Sequence, residues 1–309
     1  MSLKQVLIKI IVISVLSVQI YPFTLAQAID TETVEIKQSL EGIEGLLQES
    51  SQVNLKADTD SVGMAKINNI IIDIPKNPDE AVSLKTGNTE INISLPELDN
   101  HQEGEIVAKG VVAYTSESDF SNTVQANNDG SVRMTTIIDN PNAPTEYEYK
   151  VELEHGGKIE LQSDGSAIVY NNKQEPISII AKPWAKDAEG KEVKTWFSTD
   201  GLTLIQHVEH NVAGIVYPIV ADPVFIPAAI VSAIAAGCVA NIVQDIGISA
   251  FRVAIKNQSW NWRNKLEDLA WNCAWGGVLG GAAKWVPMNL KRSVATMIYN
   301  QIIWLGRLR

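Results

Sequence analysis

The first candidates for chemistry in this chain are two histidines in its middle. His207 and His210 occur in His207-Val208-Glu209-His210, a spacing that would bring two metal ligands together on a helix. The alternation before them, with Leu202 and Leu204, indicates a strand, on which the two rings point to opposite faces. Two such ligands do not define a metal site. We therefore predict that they are ordinary surface histidines.

A row of carboxylates is the second candidate. Glu146, Glu148 and Glu152 alternate with apolar residues, which predicts a solvent-facing strand surface rather than an acid–base pair. The sequence contains no Gly-x-Ser-x-Gly elbow, His-Glu-x-x-His pair or phosphate loop. We predict no catalytic residues, no metal and no cofactor. A secreted enzyme is therefore only a third alternative for the function, after the two hypotheses given at the end of this subsection.

The carboxy-terminal region combines indoles with cations, which suits a lipid headgroup layer. It starts with 21 uncharged residues, 223–243, enough to cross a bilayer as a helix. Small residues four apart, which let helices pack closely in lipid, are Ala233 with Gly237, Gly276 with Gly280, and Gly277 with Gly281. The predicted membrane-contacting residues are Trp260, Trp262, Arg263, Lys265, Trp271, Trp275, Lys284, Trp285 and Trp304. The alternative is a small soluble helical subdomain that packs on the rest of the chain.

The first 28 residues predict export. Lys4 and Lys9 precede an apolar run over 10–20, and Ala26-Gln27-Ala28 fits a cleavage site, the pattern of a secretory signal peptide; an uncleaved anchor is the alternative. Export favours a disulfide between the two cysteines, Cys238 and Cys273. The predicted location is secreted or associated with the extracellular envelope.

Charge divides the chain into unlike parts. Residues 29–225 hold 14 basic and 33 acidic residues, whereas residues 226–309 hold 9 basic and 3 acidic residues. The acidic part should repel nucleic acid, and the cationic part should be attracted both to anionic lipid and to the acidic part of its own chain.

Periodicity predicts the elements. Ile36, Leu40, Ile43 and Leu47 recur at helical spacing, so residues 29–61 are interpreted as an acidic helix and linker, whose glycines make it depend on a surface to lie against. Strict alternation in 90–95 and 146–153 predicts strands with one buried face. The reversals between the strands are Asp129-Gly130, Asp164-Gly165, Asp200-Gly201 and Gly156-Gly157.

These patterns predict an α+β protein. Residues 62–222 form a mostly antiparallel β domain, a sandwich or an open barrel. Residues 223–309 form a helical, apolar, disulfide-linked region, with a processing boundary at Asp222 and Pro223.

Three stretches of the β domain carry a family resemblance. The residues 143–147 (APTEY), 181–191 (AKPWAKDAEGK) and 217–223 (YPIVADP) resemble a group of exported proteins of Gram-positive bacteria in which a strand-rich domain ends in a Tyr-Pro-Val-Val-Ala-Asp-Pro-like motif. The resemblance covers about residues 130–225 and implies a domain boundary near Asp222. It implies no activity.

The leading hypothesis is a secreted precursor. Its acidic β domain accompanies and neutralises a membrane-active tail that resembles some bacteriocin-like peptides in its Trp-Gly-Gly and Gly-Gly-Ala-Ala runs. The alternative is a cell-surface binding or structural module whose tail is a membrane anchor.

Overall fold

A computed structural model describes residues 25–153 and 155–230, with side chains from residue 31 onward. The helical elements are α1 (Leu25–Glu41) and the 3-10 helix η1 (Leu46–Gln48). The strands are β1 (Ser61–Ile67), β2 (Ile70–Pro75), β3 (Val82–Thr86), β4 (Thr89–Ile93), β5 (Glu105–Ala108), β6 (Val111–Tyr114), β7 (Phe120–Ala126), β8 (Val132–Ile138), β9 (Glu146–Glu152), β10 (Lys158–Leu161), β11 (Ala167–Tyr170), β12 (Pro176–Ile180), β13 (Trp184–Lys186), β14 (Thr195–Thr199), β15 (Thr203–Val208), β16 (Ile219–Asp222) and β17 (Val224–Pro227).

The strands form two sheets. The seven-stranded sheet has the order β1-β2-β3-β4-β9-β15-β14. The ten-stranded sheet has the order β10-β11-β12-β17-β8-β7-β6-β5, and β16 pairs with β8 and with β13. All these pairings are antiparallel, which confirms the prediction of an antiparallel β domain.

The sheets share one hydrophobic core, so the arrangement is a sandwich. Tyr147 and Tyr149 of β9 enter this core from the seven-stranded sheet. Their rings contact residues of the other sheet, with centroids 5.2 Å from Phe120 and 6.4 Å from Phe225 respectively. Along β9 exposed and buried residues alternate strictly. The predicted burial of alternate residues in this strand is therefore confirmed.

Three of the four predicted reversals are hairpin turns. Asp129-Gly130 joins β7 to β8, Asp164-Gly165 joins β10 to β11, and Asp200-Gly201 joins β14 to β15. Each of these glycines has a positive φ, which fits tight turns. The prediction for Gly156-Gly157 was wrong in one respect. The strands before and after it, β9 and β10, belong to different sheets, so this reversal carries the chain from one sheet to the other.

The ten-stranded sheet is covered on its outer face, so all seven residues of β7 and of β8 are buried. The cover is the segment from α1 to η1. Ile36 and Leu40 of α1, with Ile43 and Leu46 after it, form a second apolar cluster with Val111, Ala113, Ile137 and Val220 of the sheet. The helix ends before Gly42, whose amide donates a hydrogen bond to the Gln38 carbonyl. The predicted apolar residues of this segment thus pack on the ten-stranded sheet, and this contact stabilises the helix.

The sheet continues past the predicted end of the β domain. Asp222 is the last residue of β16, and after Pro223 the strand β17 pairs with both β12 and β8. Residues 224–227, which the sequence places in a helical region, are therefore a strand in the core of the sandwich. A short continuous apolar run such as Val224-Phe225-Ile226 is compatible with either structure in isolation, and the place between β12 and β8 in the sheet determines that it is a strand.

Candidate functional site

The three stretches 143–147, 181–191 and 217–223, from which the sequence predicts a family resemblance, meet in space. Residues 184–186 form β13 and pair with residues 220–222 of β16. The ring of His210 connects residues 143–147 with residues 217–223. Its Nε2 donates a hydrogen bond to the Pro144 carbonyl over 2.9 Å, and its Nδ1 lies 2.8 Å from the Tyr217 hydroxyl. Residues 143–147 are thereby held against the end of β15 and the loop before β16.

Beside this junction lies a buried ion cluster. Nε of Arg133 donates to Asp222 over 2.7 Å, and Nη1 of Arg133 lies 2.8 Å from a Glu49 oxygen as an ion pair that lacks hydrogen-bond alignment. The guanidinium also stands 5.9 Å from the Trp184 ring centroid. The cluster ties β8, β16 and the segment after η1 together. Its members are costly to bury unless all remain paired.

Burial controls the protonation of both acids in the cluster. Desolvation raises the pKa of Asp222 to about 6, although the Arg133 charge opposes the shift. Desolvation likewise raises the pKa of Glu49, again against the charge of Arg133. Because Arg133 stays charged at all accessible pH values, its charge keeps the pKa of each acid below the value that burial alone would give.

A groove of about 600 Å³ runs along α1. We call it the helix groove. Its floor includes the apolar residues Ile36, Ile137 and Val220, and its walls carry the carboxylates of Glu32, Glu35, Asp139 and Asp187. The residues that line it include no lysine or arginine. A half-apolar groove of this volume with a few charged groups is typical of a binding site.

The carboxylates of the helix groove repel one another. Desolvation, followed by the charges of Glu32, Glu35 and Asp119, raises the pKa of Asp139 to about 7. Desolvation also raises the pKa of Glu32, and the Ser121 hydroxyl opposes that shift. Asp139 keeps an exposed surface, so water screens part of this repulsion. A cation placed in the groove would relieve it.

The fourth carboxylate of the groove, that of Asp187, is occupied by hydrogen bonds within its own loop. Asp187 is buried, and its Oδ1 accepts hydrogen bonds from the amides of Glu189 and Lys191 at 3.0 Å and 2.9 Å. It therefore shapes the loop after β13. The carboxylates available to a ligand in the helix groove are those of Glu32, Glu35 and Asp139.

A second groove, of about 710 Å³, lies between β9 of the seven-stranded sheet and the loops at 94–99 and 117–119. We call it the strand groove. It is more polar than the helix groove, and Lys150 is among its lining residues. Its carboxylates belong to Asp79, Glu97, Asp99, Glu117, Asp119, Glu146 and Glu148.

The outer face of the seven-stranded sheet carries a serine–histidine–glutamate row. The Ser198 hydroxyl lies 2.6 Å from Nε2 of His207, whose Nδ1 lies 3.3 Å from a Glu146 oxygen. The Trp196 ring stacks on His207 with centroids 5.0 Å apart. The order of contacts is that of a nucleophile, a base and an orienting acid.

This row stands on an open strand surface. The Glu146 side chain is 62% exposed, and Ser198 and His207 line neither of the two grooves described above. Acyl transfer needs donors arranged around a developing oxyanion and a site from which water is excluded. The row therefore meets one requirement of a hydrolase, the contact between nucleophile and base.

The sequence carried a signal for this row that its interpretation did not use. The hairpin at Asp200-Gly201 was predicted, and its register places Trp196 opposite His207 with Ser198 two residues further on the same face. Pairing of β15 with β9 then puts Glu146 opposite His207. The second pairing joins residues about sixty positions apart, which periodicity does not reveal.

The prediction that His210 lies at the surface was wrong. His210 is 1% exposed and holds the junction described above. It follows β15 rather than belonging to it, so the alternation of the strand does not apply to it. His101 lies in a loop, where its Nε2 is 3.1 Å from a carboxylate oxygen of Asp79.

The remaining predicted site residues lie outside the part of the chain that the structure describes. They are the cysteines Cys238 and Cys273, the small residues Ala233, Gly237, Gly276, Gly277, Gly280 and Gly281, and the membrane-contacting residues Trp260, Trp262, Arg263, Lys265, Trp271, Trp275, Lys284, Trp285 and Trp304. Residues 25–153 and 155–230 contain no helix with the length and apolarity needed to cross a membrane. The same residues contain no cluster of three side chains able to hold a metal.

The fold and its grooves define an antiparallel β-sandwich with two grooves lined by acidic residues. No known protein family matches the sequence, and no curated protein or solved structure is significantly similar to it.

Proposed function

We propose that the chain is an exported precursor in which the acidic sandwich carries a cationic, membrane-active carboxy-terminal segment. The observation that carries this proposal is the charge partition, 33 acidic and 14 basic residues in 29–225 against 3 and 9 in 226–309. Opposite net charges on one chain attract at moderate ionic strength, and indoles with cations favour anionic membranes.

The position of β17 supports a firm connection between the two parts. Its residue Phe225 is fully buried, and the strand is hydrogen-bonded on both sides. The tail therefore leaves from the core of the sandwich. Asp222 and Pro223, the predicted processing boundary, are both buried, so a protease would reach them only after the sheet opens. Release of the tail is expected to need a cut after Ile230.

Dye-filled vesicles of phosphatidylglycerol and phosphatidylcholine test the proposal. The whole chain is added before and after limited proteolysis, with its two cysteines oxidised. We expect little leakage from the intact chain and strong leakage once a fragment beginning after Ile230 is released. Vesicles of phosphatidylcholine alone are the control, since they lack the negative charge. Absence of leakage from anionic vesicles in both samples would contradict the proposal.

The alternative function is a cell-surface binding module whose tail is a membrane anchor. Two acidic grooves on the sandwich favour it, because each could bind a cationic partner. It predicts that the intact chain sediments with vesicles and that no tail fragment is found in the medium. Mass spectrometry of the protein in medium and envelope distinguishes the two functions.

A further inference from the structure

The helix groove has a charge that no described basic side chain balances. Among the described residues, the ion pairs formed by lysine, arginine and histidine involve neither Glu35 nor Asp139. The groove also presents apolar surface from Ala188 and Pro218, whereas Ile36, Ile137 and Val220 beneath it are only 1–3% exposed. A ligand that fits both features is cationic and carries large apolar side chains.

The chain itself contains such a segment. Residues 251–266 (FRVAIKNQSWNWRNKL) include four basic residues and no acidic one, and they contain three aromatic residues. They are the first cationic stretch after the end of the sandwich. The stretch lies outside the described residues, so its place is not fixed by the structure.

The tail is attached within reach of the groove. Pro218 and Val220 line the helix groove, and the same stretch continues through Pro223 into β17. The path back from Pro227 to Val220 is about 23 Å at the rise of a strand. Twenty residues lie between Ile230 and Phe251 and reach up to about 70 Å when extended. A tether of this kind holds the segment at a high effective concentration.

We propose that residues 251–266 dock in the helix groove, with their cations against Glu32, Glu35 and Asp139 and their aromatic rings against Ala188 and Pro218. This inference deepens the proposed carrier function, on which it rests. Docking would cover Trp260, Trp262, Arg263 and Lys265, four of the predicted membrane-contacting residues. The sandwich would then hold the tail away from membranes until a cut or a competing anionic surface frees it.

Photo-crosslinking in the whole chain tests the docking. Trp262 is replaced by p-benzoylphenylalanine, the protein is irradiated at low salt, and the crosslinked peptides are identified by mass spectrometry. We expect crosslinks to residues 32–43 of α1 and its continuation, and their loss at high salt because exposed charge pairs are screened. Crosslinks mainly to the strand groove or to another molecule would overturn the proposal.

A matched pair of variants tests whether the groove charges are responsible. E35Q/D139N removes two carboxylates from the helix groove, and E117Q/E148Q removes two from the strand groove. We expect the first variant to lower the crosslinking yield about fivefold and the second to leave it unchanged, since each exposed pair contributes modestly. Equal losses in both variants would show attraction to the acidic surface in general and would overturn the assignment. Thermal unfolding checks each variant, and E35Q alone, at an exposed position, replaces the double variant if that one does not fold.

The outcome is separable from that of the vesicle experiment. Leakage by the released tail without crosslinks to α1 would leave the carrier function standing and remove the docking. Crosslinks to α1 without any leakage would leave the docking standing and remove the membrane activity.

Discussion

The two sheets of the sandwich both bury their inner faces in the shared core, but their outer faces differ in exposure to water. The outer face of the ten-stranded sheet is covered by α1 and the segment after it, and its polar residues Gln125 and Arg133 are buried. The outer face of the seven-stranded sheet lies open, with Trp196 and Glu146 in contact with water. The raised pKa values of the carboxylates and the helix groove therefore depend on this cover rather than on the residue types of the strands. On the open face, similar polar residues pair with one another at the surface.

The largest expected effect comes from the ion cluster under the cover. Replacement of Arg133 with methionine leaves Asp222 and Glu49 buried without their cation, so we expect the free energy of unfolding to fall by about 3–5 kcal/mol. Urea denaturation measures it. The control on an exposed strand surface is Lys85→Met, which breaks a pair with Glu90 and is expected to have a much smaller effect.

A further variant separates loss of pairing from loss of packing. Apolar residues of similar size at Arg133, Asp222 and Glu49 together are expected to recover most of the stability, because no charge is then left buried. A small loss in Arg133→Met, below about 1 kcal/mol, would show that water reaches the cluster and that the cover is open in solution.

The second prediction concerns the contact of the helix itself. Leu40 is 1% exposed in the cluster between α1 and the sheet, and Leu40→Ala is expected to cost about 2–4 kcal/mol by leaving a cavity. Leu202→Ala is the control, because Leu202 is 56% exposed near the open face. Chemical denaturation of both compares the two faces directly. Equal effects would contradict the view that α1 is part of the folded core.

The third prediction is a dependence of stability on pH. In the folded state the pKa of Asp139 is raised from 3.8 to about 7 and that of Asp222 to about 6, chiefly by desolvation, and the pKa of Glu32 is raised as well. A group with a raised pKa stabilises the fold fully below its ordinary pKa and loses this contribution as the pH rises through the folded value. We therefore expect the melting temperature to fall between pH 4.5 and pH 7.5.

Asp139→Asn sharpens this prediction. The variant lacks the titrating group with the largest printed shift among these acids, so its melting temperature should vary less over the same pH range. The negative charges of Glu35, on α1, and of Asp119, in the loop before β7, also raise the pKa of Asp139. Both residues remain in the variant. A melting temperature that rises with pH in the wild type would contradict the raised pKa values of these acids.

The smallest expected effect lies on the open face. Ser198→Ala removes the contact with His207 at the surface, and we expect a change in unfolding free energy of about 1 kcal/mol or less. We also expect no labelling of the wild type by a fluorophosphonate probe above the level of Ser198→Ala, since the row lacks an enclosed site. Specific labelling at Ser198 would favour a hydrolase over a carrier.

Much of the sandwich follows from local sequence. The alternation in β9 sets which residues enter the core, and three Asp-Gly turns set three hairpins, because side-chain period and positive φ are local properties. The pairing of β15 with β9 and of β17 with β12 and β8 joins distant residues. Such pairings depend on the relative stability of whole arrangements, which short patterns do not contain.

The candidate site divides in the same way. The acidity of residues 29–225 and the cationic aromatic tail are properties of composition, and the sequence alone establishes them. The helix groove exists because α1 packs its apolar stripe on the ten-stranded sheet and brings Glu32 and Glu35 next to Asp139, about a hundred residues later. His210 was interpreted as a surface residue for the same reason, since its partners Pro144 and Tyr217 approach it only in the folded chain.

By itself the sequence determined an antiparallel β domain, its hairpin turns, and the opposite charges of its two parts, since these depend on side-chain period, turn conformation and composition. The tertiary structure decided which polar residues are buried, because Arg133 and Glu146 occupy equally polar strands and differ in what covers them. It also decided that residues 224–227 belong to the sheet, because a strand position between β12 and β8 satisfies backbone hydrogen bonds that a helix there would leave unpaired.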